Sequence, residues 1–176
     1  MSRSPAQESL FRAWLQAHGG ILAKVTRSFA RTPADAADLR QEILLQLWIS
    51  APAFSRQARE STWVYRVCLN TALSWARSGS RRGRRIEPAV DPAALATLES
   101  TPADAAGDRE LLEKLYDAIR SMEALERSLV LLSLDGLPYR EIADITGLTE
   151  NHVGVALTRA RKSLARQLKG VADELE

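Results

Sequence analysis

The chain has 176 residues, of which 45% are hydrophobic and 26% charged, and its net charge is +2. This composition excludes a disordered or fibrous protein, and the length allows one domain or two small lobes. The longest apolar run, residues 129–132, is too short for a membrane span, and the polar start lacks the apolar core of a signal peptide.

The reactive residues argue against an enzyme or a metal protein. One cysteine and two histidines leave no internal disulfide and no cluster at metal-ligand spacing. There is no glycine-rich phosphate loop and no nucleophile elbow. We therefore expect no catalytic residues, no metal and no cofactor, and a cytoplasmic protein without membrane insertion.

The first lobe, placed at residues 8–80, has helical periodicity and no alternating strand pattern. Apolar residues recur at helical spacing from Leu10 to Phe29, with a kink or break predicted at Gly19-Gly20. Thr32 is predicted to cap a second helix, assisted by Asp35 three residues later. The apolar stripe of this second helix consists of Leu39, Ile43, Leu44, Leu47 and Trp48.

A third helix and a change of charge end the first lobe. Ser61 or Thr62 is predicted to cap this helix, with Trp63, Val67 and Leu73 on its apolar face. Residues 77–85 then carry five arginines, and residues 86–108 carry five acids without Lys or Arg. We predict an acidic flexible linker at 86–109, extended or weakly helical.

The second lobe, placed at 110–170, is predicted to contain a helix-turn-helix. An amphipathic helix with Leu111, Leu112, Leu115 and Ile119 and a buried helix at 125–134 precede it. Ala143 suits a close helix crossing, Gly147 a turn with positive φ, and Thr149 the cap of the second helix. The alternative is an ordinary helical hairpin with a solvated basic face.

With these motifs in order, the chain resembles bacterial RNA polymerase sigma factors of the extracytoplasmic-function (ECF) group of the sigma-70 family. The resemblance covers about residues 10–80 and 110–168. It implies an all-α protein of two small helical domains joined by the acidic flexible linker. It also implies a factor that binds core RNA polymerase, directs it to specific promoters and promotes opening of promoter DNA.

The first motif of the resemblance, residues 38–43, is similar to the family helix that docks on core polymerase. The implied polymerase-binding residues are Asp38, Leu39, Gln41, Glu42 and Trp48. Family members often carry an acid at the preceding position, where this chain has Ala37, so we expect a reduced contact or one that depends on restored negative charge. The alternative interpretation of this polar triplet is a solvated face.

The second motif, residues 63–70, is similar to the family helix that handles the −10 promoter element, and it belongs to a sigma region 2-like domain. Unstacked bases and a single strand need aromatic and cationic side chains. Trp63 is equally compatible with a core position, and Leu69 and Ser74 depart from the family pattern. The implied DNA-binding residues are Trp63, Tyr65, Arg66, Asn70, Arg77, Arg81, Arg82, Arg84 and Arg85.

The third motif is the helix-turn-helix, similar to the −35-reading, region 4-like domain of the family. Its second helix would offer its first turns to base edges and its later cations to phosphates. Residues 154–156, Gly-Val-Ala, stand where the family often has Lys-Ser-Arg. The implied DNA-binding residues are Tyr139, Arg140, Thr149, Glu150, Asn151, His152, Arg159, Arg161 and Lys162.

The partners that follow from the resemblance are core polymerase and promoter DNA, with an anti-sigma factor or a regulatory kinase as candidate regulators of a monomeric chain. Thr62 is a candidate phosphorylation site whose charge would compensate for Ala37; its alternative role is a helix cap. About six residues follow the last basic helix, so no fused regulatory domain is expected. Two other classes stay open: a free-standing helix-turn-helix repressor or activator, and an enzyme on the first lobe.

Overall fold

The chain folds into two compact helical units. The computed structural model describes residues 5–78 and 106–173, which contain helices and no strand. One unit precedes the intervening segment and the other follows it. The all-α, two-domain prediction is confirmed, whereas the predicted linker up to residue 105 and Arg81, Arg82, Arg84 and Arg85 lie outside the described residues.

Three helices and a short 3₁₀ turn form the first unit. Helix α1 spans Pro5–Phe29 and α2 spans Pro33–Ser50; the turn Ala51–Ala53 and helix α3, Glu60–Arg77, follow. Helix α1 is continuous, so the break predicted at Gly19-Gly20 is wrong. Buried residues on both sides of the pair hold it in the helix, because packing outweighs the propensity cost of about 1 kcal/mol per glycine.

The core of the first unit lies where α1 and α2 pack on α3. Trp14, Leu39 and Val64 are each 0% exposed. The Trp14 ring also meets Phe54 edge to face, with 5.4 Å between centroids. Near the surface, the Gln7 amide donates to the Trp48 carbonyl at 2.8 Å and joins the start of α1 to the end of α2.

The starts of α2 and α3 differ in how they are capped. The predicted capping box of α2 is confirmed: the Thr32 hydroxyl accepts from the Asp35 backbone at 3.1 Å, and the Asp35 carboxylate accepts from the Thr32 backbone at 3.2 Å. The prediction for α3 is wrong, since its N-cap is Arg59 without a side-chain bond. Thr62 therefore lies inside the helix.

The inward face of α3 also differs from the prediction. Its buried residues include Val64, Cys68 and Ala72, while Trp63, Val67 and Leu73 are only partly buried. The buried face also includes the larger Tyr65 and Leu69, so the inward stripe of α3 is offset by about one residue from the predicted one. Periodicity alone could not choose between two stripes that are one residue apart.

Four helices form the second unit. They are α4 (Ala106–Ser121), α5 (Ala124–Leu134), α6 (Tyr139–Thr146) and α7 (Glu150–Asp173). Helix α4 begins inside the segment predicted as linker, and Leu111, assigned to its apolar face, is 60% exposed. The buried Arg127 donates to the carbonyls of Arg120 at 2.6 Å and Met122 at 2.9 Å, which ties α5 to the end of α4.

Two glycines with opposite backbone requirements provide a test of this fold. Gly147 ends α6 at φ +75°, Gly20 lies within α1, and a Cβ at either position would meet nothing within 4 Å. We expect Gly147→Ala to lower the free energy of unfolding by about 1–2 kcal/mol, because an L-residue is strained there. Gly20→Ala should raise it by about 1 kcal/mol. Urea unfolding measures both, and a shift of the same sign for the two variants would contradict these backbone assignments.

Candidate functional site

The predicted helix-turn-helix is present in the second unit. The left-handed Gly147 donates its N–H to the Ala143 carbonyl at 2.8 Å, which closes α6 and begins the turn. The Thr149 hydroxyl accepts the N–H of His152 at 3.3 Å and so caps α7, as predicted. Val153 and Leu157 are 0% exposed and hold α7 against the unit.

The outward face of α7 combines polar, apolar and basic side chains. Asn151, Val155 and Arg159 follow one another at four-residue spacing, and all three are exposed. Residues four apart lie on the same face of a helix. Glu150, His152, Lys162 and Arg166 are exposed as well. The first turns of α7 therefore present hydrogen-bonding groups, and the later turns present cations.

Gly154 provides space for an aromatic ring. A Cβ at this position would lie 3.3 Å from Cε2 of Tyr139, the first residue of α6. A larger residue at position 154 would therefore require the Tyr139 ring to shift. Tyr139 is 38% exposed, while the neighbouring Arg140 and Thr149 are open to solvent.

The Arg161 side chain forms hydrogen bonds within its own unit. Its Nη2 donates to the Ser133 hydroxyl at 2.7 Å, and its Nη1 lies 3.4 Å from the Tyr139 hydroxyl. This guanidinium connects α5, α6 and α7. The sequence predicts Arg161 as a phosphate-binding cation, and in the structure its guanidinium is also bonded to two other helices of its own unit.

The predicted polymerase-binding residues of α2 divide between its two sides. Asp38 and Gln41 are exposed, and Glu42 is partly exposed while it accepts from the Gln46 amide at 3.0 Å. Leu39 is 0% exposed and belongs to the core. Trp48 is partly buried and meets Phe11 edge to face at 5.4 Å. Asp38, Gln41 and Glu42 can thus touch a partner, whereas Leu39 can only support them.

The outward face of α2 also carries an apolar residue that the sequence motifs did not predict as part of the site. Ile49 is 58% exposed, and it lies seven residues after Glu42 and eleven after Asp38 on α2. The sequence could have indicated this exposure, because Ile49 does not continue the four-residue spacing of the buried Leu39, Ile43 and Leu47. This outward face of α2, acidic at its start and apolar at its end, is named the α2 surface.

The predicted −10 residues also divide between surface and core. Trp63, Arg66, Asn70 and Arg77 recur at spacings of three, four and seven residues, which puts them on one side of α3. Asn70 and Arg77 are exposed, and Trp63 and Arg66 are partly exposed. Tyr65 is 4% exposed and packs in the core, so it has no open surface for a base. The exposed side of α3 is named the α3 surface.

An aromatic group supports the start of the α3 surface. Phe54 lies 5.4 Å from Trp14 and 5.6 Å from Trp63, measured between ring centroids. Trp63 is therefore anchored on one side and partly open on the other, which is compatible with both interpretations left open by the sequence. The loop between Phe54 and Arg59 is exposed apart from Phe54, and Arg56 there has φ +59°.

Two further residues have environments that bear on reactivity. Thr62, the candidate phosphorylation site, is 7% exposed. Burial raises the pKa of the Cys68 thiol far above its ordinary value, so this thiol is a poor nucleophile. Within residues 5–78 and 106–173, no group of three or more His, Cys, Asp or Glu is arranged to hold a metal, and no helix is long and apolar enough to cross a membrane.

Two models of known families match the chain. Sigma-70 region 2 matches residues 14–82, which include the α2 and α3 surfaces. Sigma-70 region 4 matches residues 112–164, which include the helix-turn-helix. Together the two matches account for most of the chain, in the order that the motifs predict.

Curated relatives carry the same family name. The ECF RNA polymerase sigma factor SigG of Mycobacterium tuberculosis is 31% identical over 166 residues, covering 80% of this chain and 44% of that protein. The chain thus spans less than half the length of this relative. The ECF RNA polymerase sigma-E factor of Haemophilus influenzae is 26% identical over 156 residues, covering 85% of this chain and 82% of that one.

Solved structures show the same fold. The sigma factor RpoE in complex with the anti-sigma factor NepR from Bartonella quintana has a TM-score of 0.65 at 23% identity, covering 90% of this chain and 96% of that one. CnrH in complex with the cytosolic domain of CnrY has a TM-score of 0.61 at 23% identity, covering 93% and 90%. From the motifs, the family matches and the relatives, the chain belongs to the ECF group of the sigma-70 family of RNA polymerase sigma factors.

Proposed function

We propose that the chain is a transcription initiation factor that binds core RNA polymerase, brings it to specific promoters and promotes opening of the DNA. Membership in the sigma-70 family supports the role in initiation. The observation that carries the proposal is the presence of three separate surfaces, each with the chemistry of one task. Such a factor is not an enzyme, since the polymerase supplies the catalysis, and its place of action is the cytoplasm.

The α2 surface is the proposed contact with core polymerase. Asp38, Gln41 and Glu42 offer carboxylate and amide oxygens to a basic partner, and Ile49 adds an apolar anchor. Charged groups at an interface steer association and fix its register, while buried apolar anchors supply affinity. A surface with both kinds of group on one helix suits a specific protein partner better than a merely solvated face.

The α3 surface is the proposed contact with the opened −10 element. Trp63 presents part of an indole on which an unstacked base can stack, and Asn70 presents amide groups to a base edge. Arg77 is exposed and can hold the backbone of the displaced strand. Residues 8–80 would then act as the region 2-like domain and residues 110–170 as the region 4-like domain that binds the −35 element.

Dependence on polymerase distinguishes this function from that of a free-standing repressor or activator. We expect native mass spectrometry to show a one-to-one complex of the chain with core polymerase, and promoter DNA to join only that complex. The free chain should be monomeric and should bind duplex DNA weakly. A dimer that binds a specific duplex tightly without polymerase would favour the repressor instead.

Two arginines of α7 should differ in their contribution to phosphate binding. Arg159 is exposed on the outward face, whereas Arg161 bonds to Ser133 at 2.7 Å. The slope of log affinity against log salt is negative, and each lost phosphate contact makes it shallower by about 0.9. We expect Arg159→Gln to make this slope shallower by that amount for the polymerase–chain complex on promoter DNA, and Arg161→Gln to leave it unchanged. Equal slopes for the two variants would contradict the assignment.

An anti-sigma protein is the proposed regulator. The relative RpoE was solved in complex with the anti-sigma factor NepR, and CnrH in complex with the cytosolic domain of CnrY. A regulatory kinase acting at Thr62 would need the first turn of α3 to open, because this hydroxyl lies on a residue that is 7% exposed. Burial therefore favours control by a binding protein over phosphorylation at this position.

A further inference from the structure

We propose that Val155 is a specificity-determining residue that reads the 5-methyl group of a thymine in the upstream promoter element, within about two base pairs of an adenine read by Asn151. The proposal rests on the proposed function and adds the kind of base pair that the helix-turn-helix selects. It starts from a side chain that the packing of the domain does not explain.

Val155 is 46% exposed in the second turn of α7. The same helix buries Val153, Leu157 and Ala160, each 0% exposed, on its opposite side. An aliphatic residue on the outward face therefore contributes little to the fold. It lies between Asn151 and Arg159 on the line of residues that faces away from the domain.

The neighbours of Val155 let a short side chain reach a base. Gly154 has no side chain, and Ala156 has only a methyl group. Among residues 154–156, only Val155 has a side chain larger than a methyl group. The space beside Gly154 is taken by the Tyr139 ring, and neither Gly154 nor Ala156 places a long side chain between α7 and the bases, whereas long cations there would hold the helix farther out.

In the major groove of DNA, a valine side chain has one chemically suitable partner group. The valine side chain has no donor or acceptor, so it cannot read the hydrogen-bonding edges of guanine, cytosine or adenine. The 5-methyl group of thymine is the apolar feature in that groove, and aliphatic side chains contact it. Valine is also stiff about χ1, so its two methyl groups are held in place before binding.

Asn151 gives the second half of the readout. An asparagine amide can bond to N6 and N7 of adenine at once. Asn151 and Val155 are four residues apart, about 6 Å along the helix axis, and base pairs are stacked about 3.4 Å apart. The adenine and the thymine therefore lie within about two base-pair steps of each other. Arg159, one turn farther on, meets a phosphate.

Removal of a single methyl group tests the proposal. The complex of core polymerase with the chain first selects upstream elements from a library of promoters randomised over ten base pairs. Each thymine of the selected element is then replaced by deoxyuracil, one position at a time, which deletes only the 5-methyl group. We expect one replacement to weaken promoter binding by the wild-type complex about fourfold, the effect of one buried methyl group.

Two variants make the test specific. With Val155→Ala, binding to the thymine promoter should already be weaker, and deoxyuracil at the sensitive position should change it less than twofold. With Arg159→Gln, which loses a phosphate contact, binding should weaken but the fourfold effect of deoxyuracil should persist. Asn151→Ala should remove the preference for adenine within about two base pairs of that thymine, without removing the effect of the methyl group.

The possible failures are distinguishable. If the complex selects an upstream element but every deoxyuracil replacement affects wild type and Val155→Ala equally, the inference is overturned while the proposed function stands. An element without thymine opposite α7 overturns it as well. If the complex selects no element at all, the proposed function fails, and the assignment of Val155 fails with it.

Discussion

Asp38→Arg should weaken binding of the chain to core RNA polymerase by about 30-fold, equivalent to about 2 kcal/mol. Asp38 is exposed near the start of the α2 surface, where its carboxylate is free to meet a basic partner. Reversal of its charge replaces attraction by repulsion at close range. Surface plasmon resonance or fluorescence anisotropy with core polymerase, in the absence of DNA, measures the change.

Two companion variants separate this contact from a general effect of charge. Glu8→Arg makes the same change of charge on α1, where Glu8 pairs with Arg12 at 2.8 Å, and it should alter affinity less than twofold. Ala37→Glu restores an acid at an exposed position beside Asp38 and should strengthen binding several-fold. If Glu8→Arg weakened binding as much as Asp38→Arg, the α2 surface would not be the contact.

Trp14→Ala should lower the free energy of unfolding of the first unit by about 3–5 kcal/mol. The indole is 0% exposed, and its ring contacts Phe54, which in turn contacts Trp63. The substitution leaves a large cavity and also removes the support of the aromatic group beneath the α3 surface. Chemical denaturation followed by circular dichroism gives the change in stability.

Trp75 offers a control of the same residue type. It lies in the last turn of α3 and is only partly buried. Trp75→Ala should lower the free energy of unfolding by only about 1 kcal/mol, because a partly buried side chain removes less apolar area from water on folding than a fully buried one. Equal losses for the two tryptophans would mean that Trp14 does not occupy the centre of the core.

Local sequence signals were sufficient where a few neighbouring residues determine the conformation. The capping box of Thr32 and Asp35 and the left-handed Gly147 were predicted correctly, because each is satisfied within four residues. The break predicted at Gly19-Gly20 was wrong, since α1 is continuous and the packing of its buried residues against the rest of the unit holds the two glycines in the helix. The predicted start of α3 was also wrong, because the helix begins after Arg59, whose side chain makes no capping hydrogen bond, rather than at Ser61 or Thr62.

The candidate site was predictable by element but not by side chain. The motifs pointed to α2, α3 and α7, the helices that carry the proposed surfaces. They did not reveal that Tyr65 is 4% exposed in the core, or that Arg161 is bonded to Ser133 on another helix. Nor did they reveal Ile49 and Val155 on outward faces. Exposure depends on which helices pack together, and a motif that is local in sequence does not contain that information.

Transcription reconstituted from purified parts tests the proposed function most directly. Core polymerase, the chain and genomic DNA of the source organism are incubated with nucleotides, and the 5′ ends of the transcripts are sequenced. A sigma factor predicts a small set of defined start sites that appear only with both proteins and share upstream elements at constant spacing. Start sites that are the same with and without the chain would contradict the proposed function.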